Sequence, residues 1–417
     1  MRLPRLAAIA SLFTLVAPAA LMAETITLSV IHGSPPGVYQ EVTKRFMEEH
    51  PQIQVELEAP ALTAEDVTQR VIRGSLIGAT PDVAFQGFNQ IRTLGERDLA
   101  VSLEPFISSE KDWNSLGYIP SMLDLAKFRS KTLGLPFGIS TPIIYYNADL
   151  VRRAGGDPSR FPSDWHAITE LAKRIQAIGD GTMGIYFQYY DVSGNWTFFS
   201  LIQSLGGDIM SKDEKAVAFD GPIGLKALEI MRSIAEAGQV EMTSAQASQA
   251  FEAGKLGIFI RSSVRTAQLE EASKGKFTLS TAPFPILAND GRLPVGGTAA
   301  VMLTQDSSKQ AAAWEYIKFV TGPIGQTIAA KSTGYAPGNM IAAKEKQFLG
   351  GFYATYPNYM TSINQLPDMT SWYAFPGENS LKITDTIRDH LQSVMTLKSQ
   401  PDTALKAMVS DIKALLP

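Results

Sequence analysis

Between Thr25 and Leu57 the spacing of apolar residues changes period twice. Ile26, Leu28 and Val30 alternate with polar residues, the pattern of a strand with one buried face. Gly33, Pro35 and Pro36 break it. Val38, Val42 and Phe46 then recur every fourth residue as far as His50 and Pro51, which predicts a helix with one apolar stripe. Ile53, Val55 and Leu57 alternate again. Val67, Val71, Ile72 and Leu76 mark a second helix ending near Gly78, and Val83 to Phe85 read as a short buried strand. Such alternation of strand and helix predicts an α/β fold, a mainly parallel sheet covered by helices. Ligands of these sheets sit beyond the carboxyl ends of the strands, so the loops after Val30 and Phe85 place His32, Phe88 and Asn89 at the ligand end.

The run Leu135 to Asn147, LPFGISTPIIYYN, joins a turn to a strand and an aromatic pair. Pro136, Gly138 and Pro142 interrupt regular structure while Ile143 to Tyr146 favours a strand, so the segment reads as a crossing between two lobes. Beyond it, Ser163 and Asp164 cap a helix with Trp165, Ile168, Leu171, Ala172 and Ile175 on one face. A stretch rich in aromatics follows from Ile185 to Phe199. Gly254 to Ile260 reads as a turn into a buried strand with Ser262 and Ser263 at its carboxyl end. A connector punctuated by Pro283, Pro285 and Pro294 ends in Gly296 and Gly297, a second crossing; Ala299 to Leu303 is a strand, and Asp306 to Ser308 cap a further helix. Tyr335 lies in the loop Ser332 to Gly338, and the remainder is helical in pattern. The resulting division is residues 24–138 with 284–325 as one lobe and 139–283 with 326–417 as the other.

Arg2 and Arg5 ahead of the apolar stretch Leu6 to Met22, with Ala23 at a plausible cleavage point, read as a signal peptide over residues 1–23; a membrane anchor over Leu6 to Ala23 is the competing reading, disfavoured by Pro18 and the alanines that crowd its end. The remaining 394 residues of the 417 exceed what one core serves, in keeping with two lobes. Removing Arg2 and Arg5 leaves 35 basic against 41 acidic residues, a formal charge of −6, without a basic cluster, which argues against a nucleic-acid partner. Cysteine is absent, which rules out disulfides and thiolate metal sites. A freely diffusing periplasmic protein is the simplest fit, with secretion into the medium as the alternative.

The machinery of the common enzyme classes is missing. Four histidines, His32, His50, His166 and His390, form no metal-binding motif, and no nucleophile elbow or P-loop occurs. Gly179, Gly181 and Gly184 match a dinucleotide fingerprint but follow a helix and precede a strand, the reverse of what phosphate binding needs. No catalytic residue, cofactor or metal is expected. What remains is a set of binding groups at predicted crossings and strand ends. It comprises hydroxyls at Ser140, Thr141, Ser262 and Ser263, backbone at Gly296 and Gly297, and the aromatics Trp196, Tyr335 and Phe88. Rings that cover apolar C–H faces, with hydroxyls and amides that fix edges, suit a polyhydroxylated solute.

Together LPFGISTPIIYYNADLVRRAG, GKLGIFIRSSV, VGGTAAVML and TGYAP resemble, in order and spacing, segments of the periplasmic solute-binding proteins of ABC importers. The resemblance is to the carbohydrate class that includes maltose-binding proteins, and within it to the glycerol-3-phosphate-binding branch. It implies a two-lobed periplasmic binding fold with the ligand in the interlobe cleft, a small-molecule solute and an ABC permease as partners, and a monomer. It implies ligand contacts at Ser140, Ser262, Gly297 and Tyr335, with Trp196 near a family tryptophan. Three family contacts depart: a tyrosine and a glutamate fall near Leu62 and Phe88, and an arginine falls at about Thr384, one turn before Arg388. A desolvated phosphate then needs another cation, for which Arg261, Arg265 and Arg388 are the candidates. A neutral sugar or oligosaccharide is the first expectation and glycerol 3-phosphate or its diesters the second, with an exported glycoside hydrolase as the remote alternative.

Overall fold

The computed structural model describes residues 25–190 and 195–417. The signal peptide expected over residues 1–23 lies outside the described residues. The main strands, in chain order, are β1 (Ile26–Ile31), β2 (Ile53–Leu57), β3 (Val83–Gly87), β4 (Gly134–Ser140), β5 (Pro142–Asn147), β6 (Met183–Phe187), β7 (Leu256–Ser262), β8 (Leu279–Pro283) and β9 (Gly296–Met302). They form two sheets, one ordered β2-β1-β3-β9-β4 and the other β8-β5-β7-β6.

Each sheet is buried on both faces because successive side chains of a strand point to opposite sides. In β3, Val83 and Phe85 join a core cluster with the helices Pro36–Glu49 and Ser307–Thr321, whereas Ala84 joins a second cluster with the helices Ala64–Leu76 and Ile91–Glu96. In β5, Ile144 and Tyr146 face the helix Trp165–Gln176, and Ile143 and Tyr145 face the opposite way towards Phe251. The predicted caps hold: Asp164 accepts the Ala167 amide at 2.8 Å, and Asp306 accepts the Ser308 amide at 2.9 Å.

The sheets are mixed, and the strand that runs against the rest is explained by the crossings. β1, β2 and β3 are parallel, while β9 is antiparallel to both β3 and β4. In the second sheet β5 is antiparallel to both β8 and β7, and β6 is parallel to β7. The strands β9 and β5 each enter their sheet from a crossing, so they begin at the cleft where their neighbours end. Ser140, Gln188, Ser262 and the pair Gly296 and Gly297 are thereby gathered at one level between the lobes.

Beyond residue 326 the chain departs from the expected division. Ala329 and Tyr335 pack in a cluster built on the first sheet and Ala336 in the other, so the chain stays with the first lobe for longer than the sequence suggested. The expected helical tail is broken into short helices, including Met340–Lys344 and Met360–Asn364, by Pro357, Pro367 and Pro376. Met369–Thr370 pairs in parallel with Leu293–Pro294, and Gln365 Nε2 donates to Thr141 Oγ1 and the Pro142 carbonyl, both at 2.9 Å. These contacts tie three crossing segments together.

Candidate functional site

A cavity of about 150 Å³ lies between the cleft ends of the two sheets. Ser140, Trp196, Ser262, Gly297 and Tyr335 all line it. Phe88 and Asn89 do not. After β3 the chain turns directly into a 3-10 turn over Phe88–Gln90, which sends Phe88 into the first-lobe core beside Ile91 and gives Asn89 Nδ2 to Glu65 Oε1 at 3.1 Å. Of the other hydroxyls expected there, Thr141 and Ser263 are spent within the crossing. The Thr141 amide donates to Ser263 Oγ at 3.2 Å, and Thr141 Oγ1 donates to Ser362 Oγ at 3.0 Å.

Close backbone approach shapes the floor. Ser140 and Gly296 are register partners, and a Cβ on Gly296 would meet Ser140 Oγ at 2.6 Å and the Trp196 ring at 3.0 Å. Gly297 sits at φ +111° with the Gly138 carbonyl 2.0 Å from where its Cβ would stand, so only glycine fits. Trp196 is oriented by its indole N–H, which donates to the Pro294 carbonyl at 2.9 Å, and it faces Trp372 with ring centroids 5.8 Å apart. The two indoles offer flat apolar surface to a solute.

While the hydroxyls of Tyr39, Thr298 and Tyr335 interact with one another at the cavity, two lining residues carry a buried polar atom for which no hydrogen-bond partner is found among the described residues, Arg265 Nε and Trp372 Nε1. Such groups are rare, and each costs about 1–3 kcal/mol when left unmade. Burial pushes the Tyr39 phenol well above its ordinary range, with the neighbouring Tyr335 adding to the effect. Tyr335 shifts the same way through burial, opposed by the Thr298 hydroxyl. Tyr39 and Tyr335 thus remain neutral phenols able to donate.

The wall is cationic. Arg265 donates to the neutral Gln268 Oε1 at 3.0 Å, and no ion pair to a carboxylate is found for it among the described residues. Arg261 lines the cavity as well, with one arm on Ser248 Oγ at 2.7 Å and its guanidinium over the Phe259 ring. Arg388 is elsewhere, ion-paired to Asp385 and Asp389 on the surface, and Thr384 turns back onto the Ser380 carbonyl. No aspartate or glutamate among the described residues lines the cavity. Sequence reasoning missed Tyr39 and Trp372. Tyr39 lies one place from the apolar stripe of a helix that begins at the cleft end of β1, which was a usable signal; Trp372 stands in an irregular run with none.

The description "bacterial extracellular solute-binding protein" matches residues 41–361, well over half of the chain. A putative binding protein of Brucella abortus is 25% identical over 385 residues, covering 91% of this chain and 89% of that protein. The sn-glycerol-3-phosphate-binding periplasmic protein of Escherichia coli is 24% identical over 299 residues, covering 68% and 67%. Among solved structures, UgpB of Mycobacterium tuberculosis in complex with glycerophosphocholine has a TM-score of 0.82 at 21% identity, covering 93% of this chain and 97% of that one. Maltose-bound MalE3 of T. maritima has a TM-score of 0.78 at 18% identity, covering 94% and 100%. These likenesses establish the two-lobed periplasmic binding fold. No helix among the described residues is long and apolar enough to cross a membrane. With the family matched over most of its length and the fold shared, the chain belongs to the bacterial extracellular solute-binding proteins, the non-catalytic solute-binding component of an ABC transporter.

Proposed function

We propose that this protein captures one small polyhydroxylated solute in the periplasm, closes its lobes over it and delivers it to a membrane permease. The observation that carries this reading is the convergence of buried hydroxyls, guanidinium groups and glycine backbone from both lobes on one cavity beside two indole faces. Ser140 and Ser262 hydrogen-bond solute oxygens, the Gly297 backbone lies against the solute, and Trp196, Trp372 and Tyr335 cover its apolar faces. Sugars fit this chemistry.

A second reading, a glycerol phosphate or phosphodiester, is favoured by one specific feature. Arg265 brings to the cavity a charge that no carboxylate among the described residues neutralises, and an oxyanion pairs with a guanidinium through charge-assisted hydrogen bonds. Two of the similar proteins, those of Escherichia coli and Mycobacterium tuberculosis, carry glycerol phosphate or glycerophosphocholine in their descriptions. Thermal unfolding against maltose, glycerol, glycerol 3-phosphate and glycerophosphocholine tests both. A bound solute at a hundred times its Kd stabilises by about 2.7 kcal/mol. The account expects one chemical class to raise Tm; a panel in which no compound does so counts against it.

A further inference from the structure

Beyond the cavity, the two lobes are joined at a second place. Arg92, on the first-lobe helix Ile91–Glu96, reaches across to Glu214, on a second-lobe turn between the core residues Met210 and Val217. Its two terminal nitrogens contact the two carboxylate oxygens at 2.5 and 2.8 Å, and its Nε donates to Glu96 Oε1 at 2.7 Å. Bidentate pairing of this kind fixes geometry as well as charge. The turn holds Glu214 at φ +58°, a left-handed conformation that costs a non-glycine residue energy.

The same network touches the run that follows Trp372. Tyr373 Oη donates to Glu214 Oε1 at 3.0 Å, the Gly377 amide donates to Glu96 Oε2 at 3.2 Å, and the Ala374 carbonyl lies 3.5 Å from Arg92. Trp372 lines the cavity, and its neighbour in the chain holds the bridge. We propose that Arg92, Glu214 and Tyr373 form a latch between the lobes, coupled to the cavity through Trp372, that sets how much of the population is closed. Tyr373 ties Glu214 to the run that carries Trp372, and breaking the latch returns the lobes towards the open state. Because the open state binds weakly, the apparent Kd rises as the inverse of the closed fraction that remains. The latch stands on the interlobe geometry and holds whichever solute is bound.

The absence of cysteine allows spin labels to be placed at will, at Lys44→Cys on the first lobe and Lys406→Cys on the second, both exposed. Distances between the labels are read by pulsed electron resonance on the full chain without added solute, in the parent and in Arg92→Gln, Glu214→Gln, the double variant and Tyr373→Phe. The latch predicts that both single charge variants shift the distribution in the same direction, that the double variant shifts it no further than either, and that Tyr373→Phe gives a smaller shift. Affinity for glycerophosphocholine or maltose, whichever binds the parent, falls about fivefold or more in the charge variants. Unchanged distances in both charge variants, or additive shifts in the double variant, overturn the latch. Failure of both probes to bind the parent bears on the solute assignment and leaves the distance measurement decisive. Unfolding curves superimposable on the parent exclude a folding defect.

Discussion

Gly296 faces Ser140 across the pairing of β9 with β4, and a methyl group placed on it would stand 2.6 Å from the Ser140 hydroxyl. The second crossing therefore builds the floor of the site by what it omits. Gly296→Ala should turn the Ser140 hydroxyl away and press on the Trp196 ring 3.0 Å from the same point. Loss of one hydrogen bond of ordinary net strength, about 1 kcal/mol, together with a displaced ring predicts roughly tenfold weaker solute binding by calorimetry. Unfolding should change little, because a serine hydroxyl can rotate.

Tyr39 supports a prediction in which stability and binding move apart. Its hydroxyl is buried at the cavity beside the hydroxyls of Thr298 and Tyr335, which can replace one another as partners in the empty protein while a bound solute needs a donor at this point. Tyr39→Phe should change Tm little and weaken the solute by about 1–2 kcal/mol. Equal losses in both would assign Tyr39 to the core.

Arg265 predicts how salt and charge act. If its guanidinium holds an oxyanion, Arg265→Gln should cost a phosphate ester about 1.5–3 kcal/mol of affinity and a neutral sugar much less. The parent's affinity for the ester should also fall as ionic strength rises. Titration of both ligand types at two salt concentrations checks this.

His32 stacks on Tyr39 with ring centroids 4.6 Å apart and gives its Nδ1 proton to the Gly33 carbonyl at 2.8 Å. Burial is the main influence on its pKa and lowers it from 6.5, against opposing contributions from Gly33 and Glu58. A lowered folded-state value means the unfolded chain takes up the proton first. Stability is therefore lost as pH falls below about 6.5, until the folded-state value is reached. His32→Phe keeps the stack and removes the titration, so its Tm should drop less than the parent's between pH 7.5 and 5.5.

The sequence carried the lobes and much of the cavity floor because both depend on local signals. Period-two runs marked the strands, prolines and glycines marked the crossings, and strand ends then located Ser140, Ser262 and Gly297. The same rule failed at Phe88 and Asn89, where a 3-10 turn continues straight from β3 and buries both. Trp372 and the pairing of Arg92 with Glu214 were illegible because they join residues far apart in the chain through irregular segments without periodicity. Arg265 was named as a candidate cation, but its place beside the cavity depends on how β7 ends, which only the packed structure determines.

The central claim is that one solute sits between the lobes against Trp372 and the buried hydroxyls, and calorimetric titration tests it most directly. Parent, Tyr39→Phe and Trp372→Ala proteins are each titrated with glycerophosphocholine, glycerol 3-phosphate and maltose. The account predicts one solute per chain for at least one of these, with binding weakened in Tyr39→Phe and abolished in Trp372→Ala. Saturable binding that survives both substitutions unchanged would place the solute elsewhere and contradict it.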